Sequence, residues 1–439
     1  MSAHGFTPAE ATSRRYATYL IVIALAGWAL ASYDFNLLVL TIPDISRELG
    51  ISGGQIGVMG FVIYVAEFIV ALFVGRGMDA KGRKWMWMIC LGAAAIFTGL
   101  TFFVQNFWQL VAIRALASSF ANAELAISIT LVNEQLSARR RGLLYSVVQG
   151  GWPLGVFLAS GVYLAVSGLG WRWVFAFGVI PLVVVIIGRR WIREPERFTH
   201  LVAVRRALAR GDQAEVDRLV AERPVDVAEL EKGSVRAMFA TPGTVRRNLI
   251  TLSITWILYA IAFVATNVYI TYWFTEYAGW SAGAVATLLL VCGGIGFFFY
   301  IIGGYFGERF GRRTVLMVTG LVTGPLNLAL LLFHQNTAAT AIIFFLCYQA
   351  SNGTWSGAGY SYWAECFPTR VRGTAIGWLT AMFVLGQALG SLIWSGILAT
   401  STLVVAWMVM AVGVAFAQGL STLLLPRIEP GQELERLSV

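Results

Sequence analysis

Four charged residues stand inside long apolar stretches, and they are where this chain could do chemistry: Asp34, Glu67, Arg114 and Glu124. A charge at bilayer depth is expensive unless it is paired or hydrated, so such positions are seldom accidental. At 1.5 Å per residue, Asp34 lies about 8 residues and Arg114 about 6 from matching ends of their stretches, roughly 10 Å below one surface. A neighbouring guanidinium favours an ionised carboxylate, whereas burial disfavours it. If the fold sets the two stretches side by side, movement of Arg114 would switch Asp34 between releasing and holding a proton. The plainer reading is a static ion pair that stiffens a helix contact. Glu124 follows on the same stretch as Arg114, roughly 15 Å deeper. It is a second proton station, a substrate contact, or a neutral packing acid. Glu67 poses a similar choice between proton coupling and a protonated acid bonded to a neighbouring helix.

These residues need long helices to hold them. Of 439 residues, 58% are hydrophobic and 13% charged, too little charge to cover a soluble protein of this length. A helix needs about 20 mostly apolar residues to cross a bilayer. Twelve blocks meet that description, at 17–42, 53–75, 85–104, 108–131, 143–166, 171–191, 249–275, 282–303, 314–333, 338–363, 374–398 and 402–425. Barrel strands would alternate apolar and polar residues, and Gly178–Gly188 and Thr402–Leu425 do not. The expectation is an all-α membrane protein with twelve transmembrane helices. Residues 1–191 form one six-helix unit, 192–248 a polar central loop with short amphipathic helices, and 249–439 a second unit with a short tail.

The net charge of +9 is topological. With both termini in the cytoplasm, the inner side collects Arg14, Arg15, Arg76, Lys81, Arg83, Lys84, Arg139, Arg140, Arg141, Arg309, Arg312, Arg313, Arg370, Arg372 and Arg427. The outer side keeps Arg47 and Arg172. Basic residues flanking membrane helices stay cytoplasmic, so a multi-pass cell-membrane protein, in a bacterium the inner membrane, is expected. No contiguous basic face with aromatic readers suggests nucleic acid. The polar first residues do not resemble a cleavable signal peptide. Cys90, Cys292, Cys347 and Cys366 are scattered without metal or disulfide spacing. Neither a nucleophile–base pair nor a metal set is present, so no enzyme, cofactor or metal is expected.

The halves echo each other. Gly75, Asp79, Gly82, Arg83 and Lys84 follow the second block; Gly304, Glu308, Gly311, Arg312 and Arg313 follow the eighth in the same spacing. Glu134 with Arg141, and Glu365 with Arg372, form a second pair after the fourth and tenth blocks. Two echoes in the same order argue for internal duplication, a common transporter plan. Carboxylates at helix ends can accept hydrogen bonds from Arg83 or Arg312. The alternative is simple anchoring at the headgroups.

At these motifs the sequence resembles the major facilitator superfamily, and within it the metabolite:proton symporters that carry sialate, aromatic acids and sugars. Supporting segments are Tyr33-Asp34-Phe35, Arg114 with Glu124, Gln149 to Gly155, Arg193 to Phe198 and Glu365 to Gly373. Ala80 and Phe120 depart from the usual pattern. The resemblance implies two pseudo-symmetric six-helix bundles whose first, fourth, seventh and tenth helices line a central cavity. It also implies that Asp79, Arg83, Glu134, Arg141, Glu308, Arg312, Glu365 and Arg372 form a cytoplasmic gate. Asp34, Arg114, Glu124 and Glu67 then become the proton-coupling candidates.

The second half carries amides and aromatics where the first carries charge. Asn267, Tyr272, Gln349, Asn352, Trp355 and Tyr360 could hydrogen-bond or stack on a solute, with Arg114 the fixed positive charge for an anion. Each aromatic could equally be packing or interface belt. The function expected is secondary active, proton-coupled uptake of a small organic acid such as a sugar acid, aromatic acid or monocarboxylate. If Asp34 consumes Arg114, a neutral sugar or polyol is the alternative; a proton-driven exporter and a non-transporting receptor are others. Its partners would be a small-molecule substrate, protons and the lipid bilayer, and it would act as a monomer.

Overall fold

The computed structural model describes residues 14–135, 147–188, 196–222, 239, 243–367 and 369–428. Regular structure among them is helical throughout. The first bundle contains α1 (Arg14–Leu49), α2 (Gly53–Lys81), α3 (Arg83–Leu100), α4 (Phe107–Gln135), α5 (Gly151–Val166) and α6 (Trp171–Gly188). Two short helices, Glu196–Arg210 and Gln213–Glu222, follow in the central loop. The second bundle begins with α7, which runs as Thr244–Phe263, a π-helical Val264–Val268 and Ile270–Glu276. Next come α8 (Ala282–Phe310) and α9 (Arg312–Phe333). In α10, Thr337–Tyr348 leads through a π-helical Gln349–Thr354 into Trp355–Glu365. The chain ends with α11 (Thr369–Thr400) and α12, where Leu403–Trp407, a π-helical Met408–Val414 and Ala415–Ser421 follow one another.

Nine helices among the described residues are long and apolar enough to cross a membrane by length and composition alone. Polar residues break the apolar runs of α4 and α10, at Arg114 and at Gln349, Ser351 and Asn352. Several helices outrun their apolar blocks. The last turns of α1 pass Pro43 and remain helical because Tyr163 donates to Asp44 (2.6 Å), while Trp171 (2.8 Å) and Arg172 donate to Glu48. Those polar contacts are invisible to hydropathy. At the other end of the loop, α7 starts five residues before the apolar block begins, with Arg246, Arg247 and Asn248 on its first turns.

The duplicated loops share one backbone device. Gly82 (φ 101°) joins α2 to α3 and Gly311 (φ 85°) joins α8 to α9, each closing one helix and opening the next. Only glycine adopts such angles without steric cost. Gly82 and Gly311 mark one face of the bundles, the Gly82 face, and Gly50 marks the opposite one, the Gly50 face.

Within lipid, close approach between helices replaces the hydrophobic drive. Here α1 packs along α4 and α5, and α2 lies against α3 and α4. A β-carbon at Gly155 of α5 would overlap Ala29, Ser32 and Tyr33 of α1. The bundles meet where α2 runs along α11 and α5 along α8. Gly57 of α2 sits so near Ser391 and Ser395 of α11 that a β-carbon would lie 2.7 Å from the Ser395 side chain. Gly293 of α8 abuts Pro153 and Phe157 of α5 in the same way.

Candidate functional site

Asp34 and Arg114 meet as expected. Both are fully buried, and Arg114 grips the carboxylate with Nη1 to Oδ1 at 3.2 Å and Nη2 to Oδ2 at 2.8 Å. Nη2 also reaches the Asp34 carbonyl at 3.2 Å and Ser118 Oγ at 3.5 Å. The guanidinium lies over the Phe175 ring of α6, 5.1 Å from its centre. Thr98 of α3 adds a hydroxyl donor to Asp34 Oδ1. Sequence reasoning missed Thr98, since a threonine in an apolar helix usually bonds its own backbone. A buried charge pair holds only when further hydrogen bonds satisfy its remaining atoms, and this one gathers donors from α3 and α4 onto α1.

Thr98→Val should therefore destabilise the detergent-purified protein by about 1.5–3 kcal/mol, the usual contribution of a hydrogen bond to a charged group. An unmoved unfolding transition would show that the hydroxyl does not support the buried pair.

Glu67 lies on α2 in the same buried region, 3% exposed, and neither carboxylate oxygen has a hydrogen-bond partner of normal geometry among the described residues. Asn122 of α4 is the amide facing it, and Arg114 and Asp34 both lie within electrostatic reach. Glu124 falls on α4, but its side chain lies outside the described residues.

Across the bundle interface, the π segments of α7 and α10 face each other. Asn352 donates to Asn267 Oδ1 at 2.7 Å, and Asn267 donates to Thr266 Oγ1 at 3.0 Å. A π turn admits an extra residue and re-aims the side chains around it, so a regular 100° progression did not foresee this pairing. Gln349 is tied to the Cys292 carbonyl of α8 at 3.0 Å, leaving its Oε1 buried without a partner among the described residues. Trp355 is buried and stacks on Tyr259 of α7, ring centres 5.4 Å apart at 21°. Tyr360 packs against Trp256 and Trp363, each at 5.1 Å. Tyr272 is not part of this group. It lies beside Gly53, where α7 meets the start of α2 near the Gly50 face.

Between the amides and the charged pair runs an aromatic band that no sequence spacing pointed to. Phe35 of α1 and Trp152 of α5 are 5.4 Å apart. Phe263 of α7 lies 6.4 Å from Phe35 and 6.0 Å from Trp152, and 5.9 Å from Phe383 of α11. Tyr259 continues the band, 5.9 Å from Phe383. Trp152 and Phe383 are only partly buried. Rings of this kind offer π faces to a flat solute. On the Gly50 side of Phe35 lies a narrow apolar cavity bounded by Ile42, Met59, Ile63, Tyr64 and Tyr269.

Of the expected gate, Arg312 pairs with Glu365 at 2.7 Å, not with Glu308, which is exposed on the last turn of α8. The reach explains the change: Glu365 ends α10 opposite the start of α9, whereas Glu308 points outward. Arg313 donates to the carbonyls of Thr422 and Leu423 at the end of α12, the latter at 2.6 Å. These contacts stay within the second bundle. The side chains of Asp79, Arg83, Glu134 and Arg372, and all of Arg141, lie outside the described residues.

A family model described as the Major Facilitator Superfamily matches residues 24–391 and again 252–438. The 4-hydroxybenzoate transporter PcaK of Pseudomonas putida is 25% identical over 427 residues, covering 94% of this chain and 90% of its own. The niacin transporter NiaP of Acinetobacter baylyi is 22% identical over 388 residues, with 84% of each chain covered. Among solved structures, the inward open conformation of the xylose transporter XylE from E. coli aligns with a TM-score of 0.73 at 15% identity, covering 96% of this chain and 99% of that one.

Proposed function

The chain belongs to the Major Facilitator Superfamily, and from that premise we propose that it imports a small organic acid, an aromatic acid before others, together with protons. Membership makes it an integral membrane transporter rather than an enzyme. The proton-coupled part rests on one observation, the fully buried Asp34–Arg114 pair. Arg114 is committed to Asp34 in this conformation, so a carboxylate solute can reach it only after Asp34 lets go. Protonation of Asp34 releases the guanidinium, and the solute's carboxylate takes its place. Charge then balances in the loaded carrier, one proton entering with one anion.

The aromatic band supports a flat acid, as do the names of PcaK and NiaP. Phe35, Trp152, Phe263 and Phe383 supply faces from both bundles, while Gln349, Asn352 and Asn267 supply neutral donors and acceptors. Trp355 and Tyr360 shape the wall behind them. Glu124 stands further along α4 as a second proton station. Tyr272 contributes at the Gly50 end of the path. One observation favours a second reading: the engagement of both Arg114 Nη groups by Asp34 would also suit a neutral sugar or polyol.

Orientation follows from the basic residues flanking the helices, which put the Gly82 face and both termini in the cytoplasm, in a bacterium at the inner membrane. The bundle contacts at Gly53, Gly57 and Gly60 then close the outer side. In this orientation the Arg312–Glu365 pair ties α9 to α10 at the cytoplasmic side, the side to which the sequence motifs also assign Asp79, Arg83, Glu134, Arg141 and Arg372. Both bundles and the residues between them come from one chain, so a monomer suffices.

Purified protein in liposomes with an inward proton gradient tests the proposal. Labelled 4-hydroxybenzoate or nicotinate should accumulate, and a protonophore should abolish the accumulation. Accumulation that survives the protonophore, or that occurs only with xylose, would end the acid-symport reading. Asn352→Ala should raise the half-saturation concentration by about tenfold, the loss of roughly one hydrogen bond. An unaltered value would take α10 out of the binding site.

A further inference from the structure

Arg114 has two buried carboxylates within electrostatic reach and is bonded to one. Asp34 takes two guanidinium bonds and the Thr98 hydroxyl. Glu67, equally buried, faces an amide, and its oxygens have no partner of normal geometry among the described residues. The Nε–H of Arg114 is also buried without a partner among them, so the guanidinium is not saturated by Asp34. The helices permit an exchange, because α4, which carries Arg114, packs against both α1, which carries Asp34, and α2, which carries Glu67. Among the described residues, the other titratable groups near Glu67 are Tyr64, one turn away on α2, and Tyr269 of α7 beyond it.

We propose that Glu67 is the alternate counter-ion of Arg114, taking the guanidinium whenever Asp34 gives it up in the substrate-free carrier. One guanidinium in a dry site tolerates one anion. In the conformation described, that anion is Asp34 and the proton of the set sits on Glu67. When Arg114 leaves Asp34, the O–H bond of Glu67 breaks, its proton is taken up by the freed Asp34 carboxylate, and Glu67 becomes the anion facing Arg114. The count of charges and protons is the same before and after. In the loaded carrier the solute's carboxylate fills the place and both acids stay protonated. The exchange thus belongs to the return of the empty carrier. This inference rests on the proton-coupled reading for its place in the cycle, but the pairing itself can be tested without transport.

The test is a thermal-unfolding cycle on the detergent-purified protein with Asp34→Asn, Glu67→Gln and the double variant. Each single variant should lose only a few degrees, because one carboxylate remains for Arg114. The double variant strands a buried cation and should lose far more than the sum. An additive double variant would overturn the proposal, whatever transport does. Should the double variant fail to fold, Asp34→Asn with Glu67→Asp keeps the question open to an answer, since a shorter acid should restore the stability that glutamine removes; no restoration counts against the pairing. In liposomes, Glu67→Gln should slow net uptake by about tenfold and counterflow far less. Equal slowing of both, or of neither, would remove Glu67 from the empty-carrier step.

Discussion

Asp34→Asn is expected to abolish accumulation against a concentration gradient while leaving substrate exchange running. Asparagine keeps the shape of aspartate and can still accept from Thr98 and Arg114, but it neither carries a proton nor accepts the one on Glu67, so Glu67 cannot take over the coupling within a turnover. Without proton coupling, an inward gradient of one pH unit no longer drives the roughly tenfold accumulation that one proton per solute allows. The solute should only equilibrate. Exchange needs only the loaded carrier, in which Asp34 is neutral in any case, so its half-time should stay within about twofold of the parent, a difference of roughly 0.4 kcal/mol. Parallel measurement of protonophore-sensitive uptake and counterflow separates the outcomes. Undiminished accumulation would dismiss Asp34 as proton carrier, and loss of both activities would point to misfolding around an unpaired Arg114.

Gly60→Ala should act on the opposite part of the cycle and slow every mode of transport. Gly60 lies where α2 touches both elements of the second bundle: its β-carbon would strike the Tyr269 hydroxyl and stand 2.7 Å from Ser391 Oγ. That hydroxyl is also 3.1 Å from Ser391 Oγ and 3.3 Å from the Ile56 carbonyl. It thereby ties α7, α11 and α2 together near the Gly50 face. Overpacking of this kind costs about 1–3 kcal/mol, enough to shift the closed-to-open balance of that face by about tenfold or more. Net uptake and counterflow should fall together, unlike the split expected for Asp34→Asn. Ser395→Cys, introduced beside Gly57 on the same seam, reports the opening. Its labelling by an impermeant maleimide should be faster in the Gly60→Ala background, against little interference from Cys90, Cys292, Cys347 and Cys366, which are all buried. Unchanged labelling with normal transport would mean that this seam does not gate the outer face.

The amino-acid sequence on its own determined the twelve spans, their grouping by internal duplication and the depth match between Asp34 and Arg114. Each is a local property: an apolar run long enough for the bilayer, a glycine with its flanking charges, or a rise per residue counted along one helix. Gly82 and Gly311 were legible for the same reason, since their turns need left-handed backbone angles wherever the rest of the chain goes. The tertiary structure alone decided which partner each group meets. Arg312 chose Glu365 over the nearer-in-sequence Glu308 because α9 begins beside the end of α10. Asn267 and Asn352 face each other because π turns interrupt α7 and α10, a departure from 3.6 periodicity with no spacing signature. Thr98, Trp152, Phe263 and Phe383 gained their roles from neighbours on other helices. Side chains of such ordinary type signal nothing until packing sets a charge or a ring beside them, because contact between helices depends on rotation and tilt that no single helix encodes.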